Sequence, residues 1–477
     1  MTFASRRPGD RRGRVERQRP EEFIVKAPKR LRRAPPPALS LLILFLVLIS
    51  VGTVLLMLPI ATADGSATRF IDALFTATSA ACVTGLVVLD TATHWSPFGQ
   101  VVILALIQAG GFGIMAGSTL LLSLFVRRRT TLRDRVLVQE SLGGLELGTV
   151  TRVLKRIAIF TIVAEVLGAV VLGIAFTSGP EAGPPGDPLG IWWGVFHSIS
   201  AFNNAGFDLT GGFRSLMPFV DDWVVLLTIA ILLTLGGLGF AIVGDAFERR
   251  RWSRMALETK LVLATTGALL VGGALLIGFT EWSNPATLGA LPAEQRMLNS
   301  FFESATLRTA GFTALDTGAF SEASLFVVMA LMFIGGASGS TAGGIKVNTF
   351  SVLLIAIVST VRGQPSAMAF GRRIQHAVVY RALAVALLAI AFVFVIGLGL
   401  TLTTEATFVQ TLFEAVSAFG TVGASTGITP DLSDPARLLT SFAMFVGRLG
   451  PLTLVLALAA RARPLPFRPA VESVRIG

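Results

Sequence analysis

The chain has 477 residues, of which 53% are hydrophobic and 14% are charged, and its formal net charge is +11. This balance is too apolar for a soluble globular protein and is typical of a polytopic membrane protein. A single cysteine excludes an internal disulfide, and three widely separated histidines argue against a histidine-based metal site. The sequence contains no phosphate-binding loop and no nucleophile constellation, so we expect a protein that is not an enzyme and that carries no cofactor.

In chain order, a basic, proline-rich arm precedes a series of apolar segments long enough to cross a bilayer. Lipid offers the backbone no hydrogen-bond partners, so these segments must be helices of about 20 residues. We predict eight of them, at 39–60, 98–126, 153–177, 223–247, 257–279, 325–358, 379–402 and 438–460.

The basic residues mark the two sides of the membrane. The first 37 residues hold 12 Lys and Arg, and the segment 126–156 holds 8. The segments 248–260, 361–381 and 461–477 hold 5, 4 and 4. Basic residues accumulate in cytoplasmic loops. We therefore predict that both termini are cytoplasmic, that the charge reflects topology, and that nucleic acid is not a partner. Binding of phospholipid or of a partner protein by these clusters stays open beside that role.

The four connections predicted on the other side contain related sequences. They read FTATSAACVTGL (75–86), FHSISAFNNAGF (196–207), FFESATLRTAGF (301–312) and FEAVSAFGTVGA (413–424). Each begins with Phe and reaches Gly ten residues later, and the fourth residue after the Phe is Ser79, Ser200, Ala305 or Ser417. A glycine motif follows each connection, at 110–113, 236–239, 335–338 and 447–450. The pattern predicts an internal repeat of about 110 residues.

We therefore predict an all-α polytopic membrane protein in which four tandem helix–pore-loop–helix repeats surround a central ion pore. The predicted parts are a cytoplasmic arm at 1–37, repeats at 38–135, 136–254, 255–362 and 363–462, and a cytoplasmic tail at 463–477.

The predicted chemistry follows from the length of the short segments. Ten residues form a half-helix of about 12–15 Å, which enters a bilayer without crossing it. The returning backbone is tolerated only where it lines a water-filled path or is buried in protein, and Gly allows φ > 0 there. Four such segments would surround a cation with carbonyl oxygens. The predicted filter residues are Val83, Thr84, Gly85, Asn204, Ala205, Gly206, Thr309, Ala310, Gly311, Thr421, Val422 and Gly423.

The four pore loops, the fourth reading TVGAS, and the Gly-Arg-Leu-Gly motif resemble the Trk/Ktr/HKT superfamily of potassium transporters. The resemblance runs from about residue 39 over nearly the whole chain and is strongest to the Ktr-type membrane subunit. It implies a K⁺-selective pore subunit of the plasma membrane, a homodimer, and gating by a cytosolic ring of nucleotide-binding regulatory subunits. In the family, Gly at all four filter positions accompanies K⁺ selectivity, and Gly85 is consistent with it. K⁺ is then the transported ion, and Na⁺ as an activator stays open.

A run of ten small residues interrupts the sixth predicted span at 335–344. Glycine costs up to about 1 kcal/mol per residue in a helix interior, so we predict a helix, a flexible break and a second helix. The resemblance implies that the break is an intramembrane gating loop, the alternative being a kinked, closely packed helix. Its predicted residues are Gly335, Gly336, Gly339, Gly343, Gly344 and Lys346. Lys346 either acts on the gate or snorkels to the cytoplasm.

Several polar residues are candidates for roles around the filter. Arg448 is predicted to regulate the pore, since arginine inside a span is costly, with Glu414, Glu303 or filter carbonyls as its partner. Asn203, Asn204 and Arg308 either brace the filter or are ordinary polar residues at the membrane surface. Glu165 has no assigned role, and Cys82 is predicted to be a packing residue. The predicted anchors of the short helices are Phe75, Phe196, Phe301 and Phe413.

The sequence leaves three alternatives to a K⁺ pore. A carrier with broken helices would show two inverted repeats. A membrane scaffold would use the repeated glycines for packing alone and would tolerate Gly423→Ala. An Na⁺-permeable or Na⁺-coupled transporter would share the same fold, and a channel and a symporter would share the same filter.

Overall fold

The structure, a computed structural model, describes residues 37–129, 147–178 and 188–450. These residues belong to one unit that begins at Pro36. The basic N-terminal arm, the C-terminal tail and residues 451–460 of the last predicted span lie outside the described residues.

The described residues form fourteen α-helices and one two-stranded hairpin. The helices are α1 (Pro37–Leu56), α2 (Phe70–Ala81), α3 (Pro97–Arg129), α4 (Leu147–Ser178), α5 (Pro188–Phe202), α6 (Trp223–Leu238), α7 (Phe240–Arg249), α8 (Leu257–Glu281), α9 (Ala293–Thr306), α10 (Glu322–Met332), α11 (Val347–Val361), α12 (His376–Thr403), α13 (Phe408–Gly420) and α14 (Asp434–Leu449). The strands β1 (Met368–Ala369) and β2 (Arg372–Arg373) pair antiparallel.

Four of these helices contain apolar stretches long enough to cross a membrane. They are Leu39–Leu56 in α1, Val153–Ser178 in α4, and the whole of α8 and α12, with mean hydropathies between 2.1 and 2.9. The pair α6–α7 passes the same test together, although it is bent by 94°. The described residues thus contain several membrane-crossing helices, and the count of eight stays a prediction.

The predicted span at 223–247 is interrupted by a sharp bend between α6 and α7. Gly239 separates α6 from α7 and has φ 75° and ψ 156°, a conformation that is essentially restricted to glycine. A Cβ atom on Gly239 would lie 3.1 Å from the carbonyl oxygen of Gly339. The bend therefore follows from one residue that both turns the chain and makes room for a neighbouring loop.

The predicted break near 335–344 is confirmed. Helix α10 ends at Met332 and α11 begins at Val347, and between them lies an irregular segment that we call the 333–346 loop. The two ends of this loop meet in a parallel bridge between Ile334 and Ile345. The N–H of Gly335 donates to the carbonyl of Ile345 at 2.8 Å. The loop is thus a folded element with internal hydrogen bonds.

The four short helices α2, α5, α9 and α13 form the centre of the fold. Each packs against the long helix before it in the chain, namely α1, α4, α8 and α12. Each also packs against other helices, among them the pairs α2–α14, α5–α3, α9–α6 and α13–α10. The last helix packs on the first short helix, so the arrangement closes on itself.

One buried phenylalanine anchors each short helix. Phe75, Phe196 and Phe413 are fully buried, as predicted. The prediction for Phe301 is wrong, because this side chain is 37% exposed and its neighbour Phe302 is 1% exposed. The third anchor is therefore displaced by one residue.

Candidate ion-conduction site

Four loops meet where the short helices end, and they share one backbone pattern. We number them 1 to 4 after the glycines Gly85, Gly206, Gly311 and Gly423, whose φ angles are 94°, 69°, 73° and 94°. Two residues earlier, Val83, Asn204, Thr309 and Thr421 also have positive φ, at 57°, 61°, 76° and 50°. The four loops therefore alternate left-handed residues in the same register.

Three of these left-handed residues are β-branched. Val83, Thr309 and Thr421 are fully buried, and their branched side chains crowd the backbone in this conformation, which glycine would adopt without strain. Such a conformation costs about 1–3 kcal/mol per residue and persists only where the surroundings impose it. Strain of this kind clusters at functional sites, which makes the four loops the leading candidate site.

The loops form a closed ring in chain order. A Cβ atom on Gly85 would lie 2.3 Å from the carbonyl oxygen of Ala205 in loop 2. Equivalent contacts run from Gly206 to Ala310 O (2.2 Å), from Gly311 to Val422 O (2.0 Å) and from Gly423 to Thr84 O (2.2 Å). A side chain at any of the four glycines would collide with the backbone of the next loop.

Backbone hydrogen bonds tie each loop to its short helix. In loops 1 and 2, the N–H groups of Thr84 and Ala205 donate to the carbonyls of Ser79 and Ser200, both at 2.8 Å. Loop 4 has the same five-residue connection, from Val422 N–H to Ser417 O at 2.9 Å.

Loop 3 is one residue shorter. The N–H of Ala310 donates to the carbonyl of Thr306 at 2.8 Å. Thr306 therefore occupies the place of the serines, and the prediction that Ala305 does so is wrong. The same offset explains why Phe302 replaces Phe301 as the anchor.

The second set of predicted glycines borders the short helices. Cβ atoms on Gly110, Gly236 and Gly447 would lie 2.0, 1.8 and 1.9 Å from the carbonyl oxygens of Ala81, Phe202 and Phe419. Gly335 differs, because a Cβ there would lie 2.2 Å from the carbonyl of Gly343 in its own loop. Gly110, Gly236 and Gly447 lie in helices, whereas the fourth glycine, Gly335, lies in the 333–346 loop.

The 333–346 loop is docked against loops 2 and 4. The Thr341 hydroxyl donates to Asn204 Oδ1 at 2.6 Å, and the Thr341 N–H donates to the Gly236 carbonyl at 3.2 Å. On the other side, a Cβ on Gly343 would lie 2.0 Å from Thr421 Oγ1. The loop therefore covers the ring at the positions two residues before the glycines.

Arg448 connects the 333–346 loop to helix α3. Its guanidinium is 2% exposed and donates to the carbonyls of Thr341 and Gly110, the second at 3.1 Å. The predicted carboxylate or filter-carbonyl partners are wrong. Glu303 accepts from Ala314 N–H at 2.9 Å, and Glu414 accepts from a threonine hydroxyl.

Lys346 folds back on the same loop. Its ammonium group donates to the carbonyl of Ala342, four residues earlier. In this structure the side chain closes the loop instead of extending along α11, which favours anchoring of the loop over snorkelling.

Asn203 lies behind loop 2 in a cluster of buried polar side chains. Its amide Nδ2 donates to Gln108 Oε1 at 2.8 Å and to Glu165 Oε1 at 3.0 Å. Gln108 Nε2 lies 3.3 Å from Glu165 Oε2, and Glu165 is 8% exposed. A Cβ on Gly111 would lie 1.9 Å from Asn203 Oδ1, so this glycine makes room for the amide. Glu165 thus has hydrogen-bond partners in this cluster. Gln108 also belongs to the cluster, and the sequence marked it only as a polar residue inside an apolar segment.

The other two bracing candidates are also held by hydrogen bonds. Asn204 Nδ2 donates to the Leu233 carbonyl at 3.1 Å. Arg308 is 6% exposed and donates to the carbonyl and the hydroxyl of Thr266, each at 3.3 Å. These contacts join loops 2 and 3 to α6 and α8.

Beyond the glycines, Asp90 connects the segments that follow loops 1 and 2. Its Oδ2 accepts from Phe213 N–H at 3.0 Å, and its Oδ1 accepts from Thr93 N–H at 2.9 Å. Burial opposes ionisation of this carboxyl, but the hydrogen bonds from Phe213, Thr93 and Ala92 outweigh it and lower the pKa of Asp90 below its usual value.

Residues 25–464 match the family model of TrkH, described as a cation transport protein. The chain belongs to the TrkH family. It is therefore a membrane transport protein and not an enzyme, as the sequence indicated.

Individual relatives agree with this assignment. The chain is 41% identical to Ktr system potassium uptake protein B of Bacillus subtilis, over 91% of this chain and 95% of that protein. It is 39% identical to potassium/sodium uptake protein NtpJ of Enterococcus hirae, over 94% and 99%. The crystal structure of the potassium transporter TrkH from Vibrio parahaemolyticus shares the fold, with a TM-score of 0.69 and 19% identity over 90% of this chain and 86% of that one.

Proposed function

We propose that this TrkH-family protein takes up K⁺ through a filter formed by the four loops. The observation that carries the proposal is the closed ring, in which each glycine lies against a carbonyl of the next loop. Carbonyl oxygens can replace the hydration shell of a cation without any carboxylate. In addition, the hydroxyls of Thr84, Thr309 and Thr421 are buried and have no hydrogen-bond partner among the described residues. These oxygens are free to face an ion.

K⁺ is the favoured ion because all four ring positions are glycine and because potassium is named for relatives with about 40% identity. An Na⁺-permeable or Na⁺-coupled transporter is the second candidate, favoured by the name potassium/sodium uptake protein NtpJ of one relative. The membrane potential supplies about 2.3 kcal/mol per charge per 100 mV for inward movement.

The proposed architecture has four tandem repeats and eight spans, with each loop contributing one wall of the filter. The 333–346 loop is the proposed gate, because it contacts loops 2 and 4 directly. Arg448 holds that gate in the docked position through the Thr341 carbonyl, and Lys346 keeps the loop folded through the Ala342 carbonyl. Opening requires these contacts to separate.

The proposed setting is the plasma (inner) membrane, with both termini in the cytoplasm. The functional unit is a homodimer in which each subunit contains its own pore. A cytosolic ring of nucleotide-binding regulatory subunits controls the gate, and we expect the nucleotide to bind there because no phosphate-binding loop is recognisable in this sequence. The support for these points is the charge distribution together with the family resemblance.

The test is uptake of ⁸⁶Rb⁺ into proteoliposomes that contain the purified chain, with K⁺, Na⁺ and Li⁺ as competitors. We expect K⁺ to block uptake and Na⁺ to compete weakly. The Gly85→Ser variant places a side chain against Ala205 O and should weaken uptake and its K⁺ preference.

If the wild-type chain takes up no ⁸⁶Rb⁺, the same assay is repeated on a variant shortened within 335–344, which removes the proposed gate. Silence in that variant as well would contradict the gated-pore proposal. Equal competition by Na⁺ and K⁺ would support the second candidate instead.

A further inference from the structure

A basic and aromatic patch lies at the ends of helices α7, α8, α11 and α12. It consists of segment 249–254 and the β1–β2 hairpin, and we call it the arginine–aromatic patch. The Trp252 and Phe370 rings meet edge to face with centroids 5.9 Å apart. The ammonium of Lys260 lies 5.8 Å from the centroid of the Phe370 ring. Two segments more than 100 residues apart in sequence thus form one surface.

The hairpin is fixed to the body of the protein. The N–H of Met368 donates to Ser359 Oγ in α11 at 3.2 Å. Ala367 and Ile374 flank the strands and pack into a small core with Val352. The tip residue Phe370 has φ 50°, so a left-handed turn holds the ring beside Trp252. The patch is therefore held in a fixed position by the fold.

The neighbouring helices place this surface at the edge of the bilayer. Helices α8 and α12 begin next to the patch, and only 22% and 28% of the residues in their apolar stretches are buried inside the protein. Their remaining faces are available to lipid. Trp252 and Phe370 are 45% and 49% exposed. Aromatic side chains at the ends of spans are typical of headgroup depth.

The patch also carries uncompensated positive charge. Its exposed arginines are Arg250, Arg251, Arg254, Arg372 and Arg373. Within the part of the chain that the structure describes, none of them forms an ion pair. Among the nearby carboxylates, Asp245 pairs with Arg249 at 2.6 Å and Glu248 lies 3.9 Å from Arg156. Glu258 accepts from the neutral amide of Asn348 at 2.6 Å, so in the described residues one carboxylate without a cationic partner stands against five arginines.

We propose that the arginine–aromatic patch binds the phosphate headgroups of anionic phospholipids. Arginine presents a planar fork of donors that suits phosphate oxygens, and each basic residue near an anionic surface adds attraction. The exposed rings insert beside the headgroups, while the arginines neutralise them. The proposal rests on the membrane orientation given under Proposed function, but it does not depend on which ion is transported.

The test uses quenching of tryptophan fluorescence by brominated lipids in reconstituted protein. The chain has six tryptophans, so the difference between the wild-type protein and the Trp252→Phe variant isolates Trp252. We compare brominated phosphatidylglycerol with brominated phosphatidylcholine at equal mole fraction. We expect the anionic lipid to quench Trp252 more strongly. In the Arg250→Gln/Arg251→Gln/Arg254→Gln variant, we expect the relative binding constant for the anionic lipid to fall by roughly tenfold or more.

The matched control is Arg214→Gln, an exposed arginine in the segment after loop 2, which should leave the lipid preference unchanged. Equal quenching by both lipids in the wild-type protein, or a preference that survives the triple substitution, would overturn the proposal. An absence of quenching by either lipid would also overturn it and would indicate a protein partner on this surface. Monodisperse elution of each variant verifies folding.

Orientation is tested separately with Gln364→Cys, which adds an exposed thiol beside the hairpin. The chain's own Cys82 is buried and gives little background labelling. A membrane-impermeant maleimide should label the variant in inverted vesicles and not in intact cells. Labelling from outside would refute the proposed topology, whereas failure of Rb⁺ uptake in both the wild-type chain and the variant shortened within 335–344 would refute the pore and leave the quenching result intact.

Discussion

The hydrogen bond from Thr341 to Asn204 offers a direct test of whether the 333–346 loop controls the ring. The hydroxyl donates to Asn204 Oδ1 at 2.6 Å, and both residues are buried. The Thr341→Val substitution removes this donor and leaves a side chain of nearly the same shape. The N–H of Thr341 still donates to Gly236, so the variant weakens docking without removing it.

The expected effect follows from the buried acceptor. Loss of one partner from a buried hydrogen bond costs about 1–3 kcal/mol. If the cost falls on the docked state, the ratio of docked to undocked loop decreases by about 5- to 150-fold. Thr341→Ser keeps the donor and should behave like the wild-type protein.

The assay is ⁸⁶Rb⁺ uptake into proteoliposomes without a regulatory subunit, where the docked loop should limit flux if it is the gate. Thr341→Val should raise uptake toward that of the variant shortened within 335–344. The matched control is Thr440→Val, because the Thr440 hydroxyl is buried and has no hydrogen-bond partner in the described residues. This control should leave uptake unchanged.

Two results would refute the reasoning. One is equal uptake by Thr341→Val and the wild-type protein while the shortened variant conducts. The other is that Thr341→Ser conducts as much as Thr341→Val, since that would show that the hydroxyl is not what holds the loop.

Three further predictions concern the surroundings of the ring. Glu165→Leu deprives Asn203 of one acceptor and should lower the unfolding free energy by about 1–3 kcal/mol, with Glu165→Gln closer to wild type, as measured by denaturation in detergent. Arg437→Met removes the ion pair between Arg437 and the buried carboxylate of Asp72 and leaves only the 4.0 Å pair with the exposed Arg69, so it should cost up to about 3–5 kcal/mol, much of which the added Asp72→Asn change should restore. Asp90 has a lowered pKa, so its contribution to stability is complete above a pH of about 3.9 and is lost as the pH falls through the lower folded-state value. Stability of Asp90→Asn should therefore fall less steeply than wild type below pH 4, and identical slopes would contradict the assignment.

The sequence predicted the positions of the ring because glycine is the residue that tolerates both the left-handed backbone and the close carbonyl. The same reasoning failed at loop 3. Phe301 and Phe302 are adjacent, so counting ten residues back from Gly311 selects the wrong one. The burial of Phe302 and the hydrogen bond to the Thr306 carbonyl show that loop 3 is one residue shorter. The bend at Gly239 was equally hidden, because an apolar run has the same composition whether it is straight or bent.

The partners of buried polar groups were the least predictable part of the site. Arg448 binds the carbonyls of Thr341 and Gly110, and every residue carries a carbonyl, so no side-chain pattern marks them. Gln108 and Asn203 are 95 positions apart, and only the tertiary fold brings them together. Whether these contacts serve conduction stays a prediction until transport is measured.

The ring closes within a single chain, and its four walls differ in sequence. If the four loops form the proposed filter, a substitution such as Gly85→Ser alters one quarter of the coordination sphere, whereas in a pore of four identical chains the same change would alter every quarter at once. Ion preference would then be adjustable in small, separate steps. A gene encoding all four walls would permit one wall to drift while the other three preserve conduction.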